Sequence, residues 1–364
     1  MSLETSHETA GDYNVRRYER GDRDGILSLF EKQWGDRLSA AWFDWKFVDD
    51  PYLSHVPITL AERNGKIVAV QGYIPSPVRW KDQIISALKP VDAVVHPDHR
   101  RQGLYSLITE AAIDEYLDRE PAFFFNFPNV ASLGAQKKLG WSEIDVIPMY
   151  YRLQRPHEML TTERVPAPLE QSLTVAARAY LSVRGRFSSE SSNFDVTRYS
   201  SVPGDLLESL YESHVPQRFH AYREAQYYHW VFDAPNYDHT IYVAHRDDCP
   251  VAALITRTEN GRAVKIMETL PMTADHEAFA DLLAAAVADN KAAGVITVSN
   301  RILPPELLER FGFVSNQNPV LSRVGTPTYL AARPLWRDDE SAPISPRTLT
   351  ASENWRVSFL EVTD

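Results

Sequence analysis

Hydrophobic and polar positions divide the chain into short alternating or fully apolar runs and longer stretches of helical spacing. Residues 58–63 (ITLAER) and 67–74 (IVAVQGYI) have the length and apolar content of strands and flank a charged turn. After Gly103, the residues Leu104, Leu107, Ile108, Ala111 and Ala112 recur at helical spacing, which predicts a helix over Gly103–Leu117. Residues 13–154 read in order as strand Tyr13–Tyr18, helices near Asp22–Lys32 and Ser39–Phe47, and strands Ile58–Arg63 and Ile67–Ile74. A hairpin turn at Trp80–Gln83 leads into strand Ile84–His96, and after the long helix come strand Ala122–Asn126, helix Val130–Leu139 and strand Trp141–Leu153. This order predicts a mixed α/β unit over residues 13–155.

A Pro- and Thr-rich joint at 155–170 and one connecting helix, LEQSLTVAARAYLSVRGRF, make residues 156–195 the expected linker. Beyond it the order repeats. The segment WFDWKFVDDPYLSHVPITLAERNGKIVAVQGY matches YYHWVFDAPNYDHTIYVAHRDDCPVAALITR, aligning Trp45 and Pro51 with Trp230 and Pro235, so the chain reads as a duplication. The second unit, 196–335, continues through strand Ala263–Leu270, helix Ala274–Ala293, strand Val295–Ser299, helix Pro305–Phe311 and strand Phe313–Ser322. In the tail, 336–364, a Pro- and Ser-rich loop precedes Trp355, Val357 and Phe359, whose alternation predicts a last strand docked on a sheet.

At 364 residues the chain exceeds one ordinary core, which agrees with two domains. No apolar run approaches the roughly 20 residues that span a bilayer, and the start MSLETSHETAGDYN resembles neither a signal nor a transit peptide, so a soluble cytoplasmic protein with no membrane partner is expected. The single cysteine, Cys249, excludes an intrachain disulfide and a cysteine metal cluster. His96 and His99 lie three apart in a proline turn with no third ligand nearby, so no metal is expected. A net charge of -11 argues against wholesale nucleic-acid binding and leaves small anions as partners for a local positive spot.

That spot is VVHPDHRRQGLYSLITEAA, residues 94–112. A glycine at a helix start allows close backbone approach, and the free N–H groups of the first turn, the helix dipole, Arg100 and Arg101 together suit a phosphate.

The stretch VHPDHRRQGLY resembles the acetyl-CoA loop of the GCN5-related N-acetyltransferases, whose pattern (Gln or Arg, two residues, Gly, one residue, Gly or Ala) falls on Arg100, Gly103 and Tyr105. Tyr105 departs from the usual small residue. NVASLGAQKKLGW resembles the family's Asn-x-x-Ala…Lys-Leu-Gly-Phe segment through Asn129, Lys138, Leu139, Gly140 and Trp141. The resemblance implies two tandem acetyltransferase-type domains with acetyl-CoA as acyl donor. It further implies that the donor is held by main chain near Ala93, Val94 and Val95, by the loop Arg100, Arg101, Gln102, Gly103, Leu104 and Tyr105, and by Asn129. Where the loop should recur, the second unit reads LPMTADHEAF, with no glycine or arginine and with Asp275 and Glu277 set against a pyrophosphate. The second copy is therefore expected to have lost its donor site and to serve structure, substrate shaping or homodimerisation.

Attack by an amine needs a proton acceptor, and the departing thiolate needs a donor. Asp92 and Glu62 are the candidate bases. The family's general acid is a tyrosine at the position of Gln136, which leaves Tyr150, Tyr105 and Tyr151 as candidate substitutes. Trp34, Trp42, Trp45 and Phe47 are candidates for an acceptor cleft or for core. The expected function is direct acetyl transfer to a primary amine of a small molecule or peptide. The alternatives are a non-catalytic acyl-CoA sensor or scaffold, and an aminoacyl- or peptidyl-type transferase on the same tandem fold.

Overall fold

The structure is a computed structural model that describes residues 7–8, 13–36, 38–155, 194–259, 261–273, 276–299, 302–317, 327–337 and 342–362. The expected connecting helix of the linker lies outside the described residues.

The first half runs β1 (His7–Glu8), β2 (Asn14–Arg17), α1 (Arg23–Trp34), α2 (Ala40–Phe43, continued by a π-helical turn Asp44–Val48), β3 (Ile58–Arg63), β4 (Lys66–Pro75), β5 (Val78–Trp80), β6 (Gln83–Ile85), β7 (Ala87–Val95), α3 (Leu104–Tyr116), β8 (Phe123–Asn126), α4 (Val130–Lys138), β9 (Ser142–Ile147) and β10 (Met149–Leu153). The second half runs β11 (Asp195–Tyr199), α5 (Gly204–Glu212), β12 (His220–Ala221), α6 (Ala225–Phe232), β13 (Asp238–Arg246), β14 (Cys249–Glu259), β15 (Ala263–Leu270), α7 (Phe279–Asp289), β16 (Val295–Ser299), α8 (Pro305–Arg310), β17 (Val314–Ser315), β18 (Thr328–Pro334), α9 (Pro346–Thr350) and α10 (Phe359–Val362).

Two large mixed sheets result, in the orders β1-β2-β3-β4-β7-β8-β18-β9 and β11-β13-β14-β15-β16-β10-β17. The orders superpose element by element once β1 is set aside, which is the duplication seen in three dimensions. One feature departs from a simple tandem. The apolar run Trp141–Leu153, expected as one strand, breaks at Pro148: β9 stays in the first sheet, whereas β10 crosses into the second and pairs with β16 from Met149↔Ser299 to Leu153↔Val295. In return β18 pairs with β8 (Ala331↔Asn126) and β9 in the first sheet. Each copy supplies the strand that bridges two strands of the other. A third sheet, β12-β5-β6, adds the Arg79↔His220 pairing across the halves. The largest apolar core is shared accordingly, with Phe123, Phe125 and Met149 packed among Tyr211, Tyr228 and Met267.

The tail corrects the expected last strand. Trp355, Val357 and Phe359 are buried, but so are Arg356 and Ser358, and α10 ends the described chain. Burial on both sides removes the alternation that a one-sided strand would show. Glu361 anchors this segment, accepting from the buried Arg223 guanidinium (2.5 Å) and from Ala221 N (3.0 Å).

Candidate functional site

β7 and β8 run parallel but pair only at Ala87↔Phe123 and Leu88↔Phe124, after which they part. β7 continues for seven residues with β4 alone on one side. His96 N donates to Val68 O (2.8 Å) and Val94 pairs with Val70. Strand alternation therefore turns the main chain of Ala93 and Val95 toward the gap that β8 has left. Ala93 is exposed there, Val94 is buried and Val95 is half-buried. The gap is flanked by α3 and α4.

The loop into α3 has left-handed backbone at Arg101 (φ 62°) and at Gly103 (φ 80°), the N-cap of α3. A Cβ at Gly103 would meet nothing within 4 Å, so the space over the helix end is open. The loop's underside is tied down: Tyr13 Oη donates to Gln102 Oε1 (2.7 Å) and is bonded to His99 Nδ1 (2.8 Å). Arg100 donates from Nε to Val95 O (3.2 Å) and also bonds Gln33 Oε1, so it clamps the loop to β7 and α1. Arg101 is exposed and Leu104 is buried beneath the helix start. Tyr105 does not stand over the helix end. It is half-buried, its hydroxyl faces Gln136 and Thr109, and burial raises its pKa above the usual value. Gln136 and Asn126 are buried, and their Oε1 and Oδ1 atoms have no partner among the described residues. Asn129 caps α4, its side chain accepting from Ser132 N (3.0 Å).

The three candidate catalytic residues are not brought together. Asp92 is in the cleft wall, in a β-bulge with left-handed backbone (φ 52°), and its carboxylate lies 2.7 Å from Lys46 Nζ. Glu62 is the penultimate residue of β3 and is held by Arg16 (2.9 Å), which also grips Asp22 (2.6 Å). Tyr150 belongs to the second sheet, paired with Val298 and Ser315 and packed in the core of that half. Tyr151 is its neighbour on β10. A tyrosine next to β9 in sequence was led away by the strand exchange.

Of the tryptophans considered for an acceptor cleft, Trp42 is buried with Phe47 in the α1–α2 core, and Trp34 stacks on Phe30. Trp45 faces Trp230 and, with Ser76, Lys89, Tyr227 and Arg257, lines a small pocket of about 40 Å³ between the halves.

The corresponding place in the second half is filled. β15 and β16 pair in parallel from Ala263↔Val295 to Lys265↔Thr297, and Thr269 Oγ1 then donates to Ile302 O (2.9 Å). Met267, Met272 and Leu303 are buried in this region. Glu277 pairs with Arg246, and Glu268 is buried against Arg223 (2.9 Å).

Residues 14–144 match the family model described as an acetyltransferase (GNAT) domain. Among solved structures, the chain is similar to a GCN5-related N-acetyltransferase from Kribbella flavida, with 13% identity, 89% of this chain and 71% of that one covered, and a TM-score of 0.54. It is also similar to a GCN5-related N-acetyltransferase from Anabaena variabilis (9% identity, 89% and 73% covered, TM-score 0.58) and to a protein from Enterococcus faecalis described as a probable N-acyltransferase (12%, 89% and 72%, 0.61). At these identities the likeness is one of fold. No curated protein matches the chain. Residues 14–144 thus match an acetyltransferase (GNAT) domain, and with the second half repeating the same sheet order the chain has the fold of two tandem GNAT-like units.

Proposed function

We propose that the first unit binds acetyl-CoA and transfers its acetyl group directly to a primary amine of a small molecule or peptide. The observation that carries this reading is the parting of β7 from β8 beside the open N-terminus of α3. The gap offers the Ala93 and Val95 main chain to a pantetheine arm, and the loop from Arg100 to Tyr105 offers main-chain N–H groups to a pyrophosphate. The orphaned Gln136 Oε1 and Asn126 Oδ1 suit a ligand rich in amide donors.

In this reading the acyl donor supplies a thioester carbon, and the chain's own groups do the rest. Ala93 N–H meets the carbonyl oxygen as charge develops. Asp92 and Glu62 are engaged in ion pairs with Lys46 and Arg16, so the amine attacks as the free base and releases its proton to water. Tyr105, whose hydroxyl faces Gln136, is the phenol that protonates the departing thiolate. The loop argues against an aminoacyl- or peptidyl-type transferase, which has no use for a pyrophosphate seat.

A second reading, an acyl-CoA sensor without turnover, is favoured by Gln136 standing where the family's acid stands. Calorimetry with acetyl-CoA followed by free-thiol release over a panel of amines separates the two. Binding with turnover supports the enzyme, binding without turnover the sensor, and no binding refutes both.

A further inference from the structure

The ladder between β4 and β7 changes register once, between Val70 and Gly72: Val70 faces Val94 and Gly72 faces Val91, so Asp92 and Ala93 together oppose Gln71. One extra residue reverses the alternation of everything after it. Without the bulge, the amide of Ala93 would point at β4, and those of Asp92 and Val94 would face the cleft. The bulge thus decides which N–H lies beside the reacting carbonyl.

Holding it is costly. Asp92 sits in left-handed backbone, which is strained for a residue with a side chain, and the ladder loses a regular pair. Two buried polar side chains compensate. Gln71 Nε2 donates to Val91 O (2.6 Å) and to Gly72 O (3.0 Å), replacing the donor that the ladder lacks. Lys46, 1% exposed, reaches from the turn after α2 to Asp92, with its ammonium 4.9 Å from the centre of the Trp42 ring. That turn is itself seated on the bulge, because a Cβ at Gly72 would lie 2.6 Å from Phe47, so only glycine leaves room for the ring. A buried charge pair and a buried amide are expensive in a strand that could pair regularly.

We infer that Lys46 and Gln71 are positioning residues that lock the β7 bulge and thereby aim Ala93 N–H at the thioester carbonyl. The inference rests on the acetyl-CoA reading above. In it Asp92 is the anchor of the lock and takes no proton.

Acetyl-CoA labelled with ¹³C at the thioester carbonyl, bound to the full chain, reports that contact directly through its C=O stretching frequency. The parent is expected to bind it with the stretch lowered from its value in water. Gln71→Met and Lys46→Met should bind acetyl-CoA within about threefold of the parent, return the stretch toward the free value, and lower kcat tenfold or more at unchanged KM for the donor. Lys46→Met leaves Asp92 uncompensated. The pair Lys46→Met/Asp92→Asn removes both charges and is used if the single variant does not fold. A parent that fails to bind acetyl-CoA overturns this inference together with the reading beneath it. Variants that bind the donor with the parental stretch and kcat overturn the inference alone.

Discussion

Trp45 and Trp230, the residues that align in the sequence repeat, hold each other: Trp45 Nε1 donates to Trp230 O (2.7 Å) and Trp230 Nε1 donates to Trp45 O (3.0 Å), with the indole rings stacked at 6.0 Å between centroids. The two-fold relation of the copies passes between them. Each hydrogen bond contributes about 1 kcal/mol, and the stacked pair adds a comparable amount. Trp45→Phe and Trp230→Phe should each destabilise by about 1–2 kcal/mol in urea unfolding, and the double variant should cost less than their sum. Strict additivity would mean that the reciprocal contact carries no coupling.

The exchange of β10 and β18 makes the halves interdependent. Cut within the linker, a fragment 1–154 lacks β18 and a fragment 190–364 lacks β10, each a strand with sheet neighbours on both sides. Neither fragment alone should unfold cooperatively, while mixing the two should restore a cooperative transition. A monomeric 190–364 fragment with a sharp transition of its own would refute the interdependence.

Much of the fold was legible because period and turn chemistry fix elements locally: Ile58–Arg63, Ala263–Leu270 and Val295–Ser299 are strands to the residue. The exchange was not, since an apolar run announces a strand and not its sheet, and a duplicated chain offers two equivalent docking places. In the candidate site, the strand–turn–helix around Gly103 was visible through its pattern. Lys46 and Gln71 were passed over, although a lysine among Trp42, Phe43, Trp45 and Phe47 and a Gln-Gly pair inside an apolar strand are both signs of a buried polar contact and a bulge.

Gly103→Glu tests the loop. The space above Gly103 is open, so the side chain is accommodated at a cost of about 1 kcal/mol for its positive φ, but it sets a carboxylate at the proposed anion seat. Thermal unfolding should change little while acetyl-CoA affinity falls a hundredfold or more. Arg100→Ala should weaken binding less and act through loosening of the loop, since the guanidinium is engaged by Val95 O and Gln33. Parental affinity in Gly103→Glu would remove the loop from the donor site.

Acid should weaken the joint between the halves. Burial holds His220, beside Tyr211 and the Arg218 carbonyl, down to about 4, and burial with Arg257 nearby does the same to His239. The folded chain keeps these imidazoles neutral, whereas the unfolded chain protonates them near 6.5. Their contribution is therefore complete above about pH 6.5 and is lost as pH falls from there toward 4, to the extent of about 3 kcal/mol for His220. Urea midpoints at pH 7 and pH 5 should fall less in His220→Gln than in the parent. Equal falls would show that His220 is not a source of the acid sensitivity.

In the proposed acetyl transfer, Tyr105 and Gln136 would decide how the thiolate is protonated. Gln136 cannot donate a proton at neutral pH, but it stands against the Tyr105 hydroxyl, whose pKa is raised by burial and which therefore stays protonated through the neutral range. Tyr105→Phe keeps the ring and removes the proton, so kcat should fall about ten- to a hundredfold with acetyl-CoA affinity unchanged. Gln136→Ala removes a neighbour that orients the hydroxyl and leaves the hydroxyl itself, so it should cost less. Because both changes act on one proton, the double variant should be no slower than Tyr105→Phe alone. A Tyr105→Phe enzyme with parental kcat would mean that the proton comes from water and that the two side chains only fill the gap between α3 and α4. A multiplicative double variant would instead give Gln136 a role of its own at the reacting atoms.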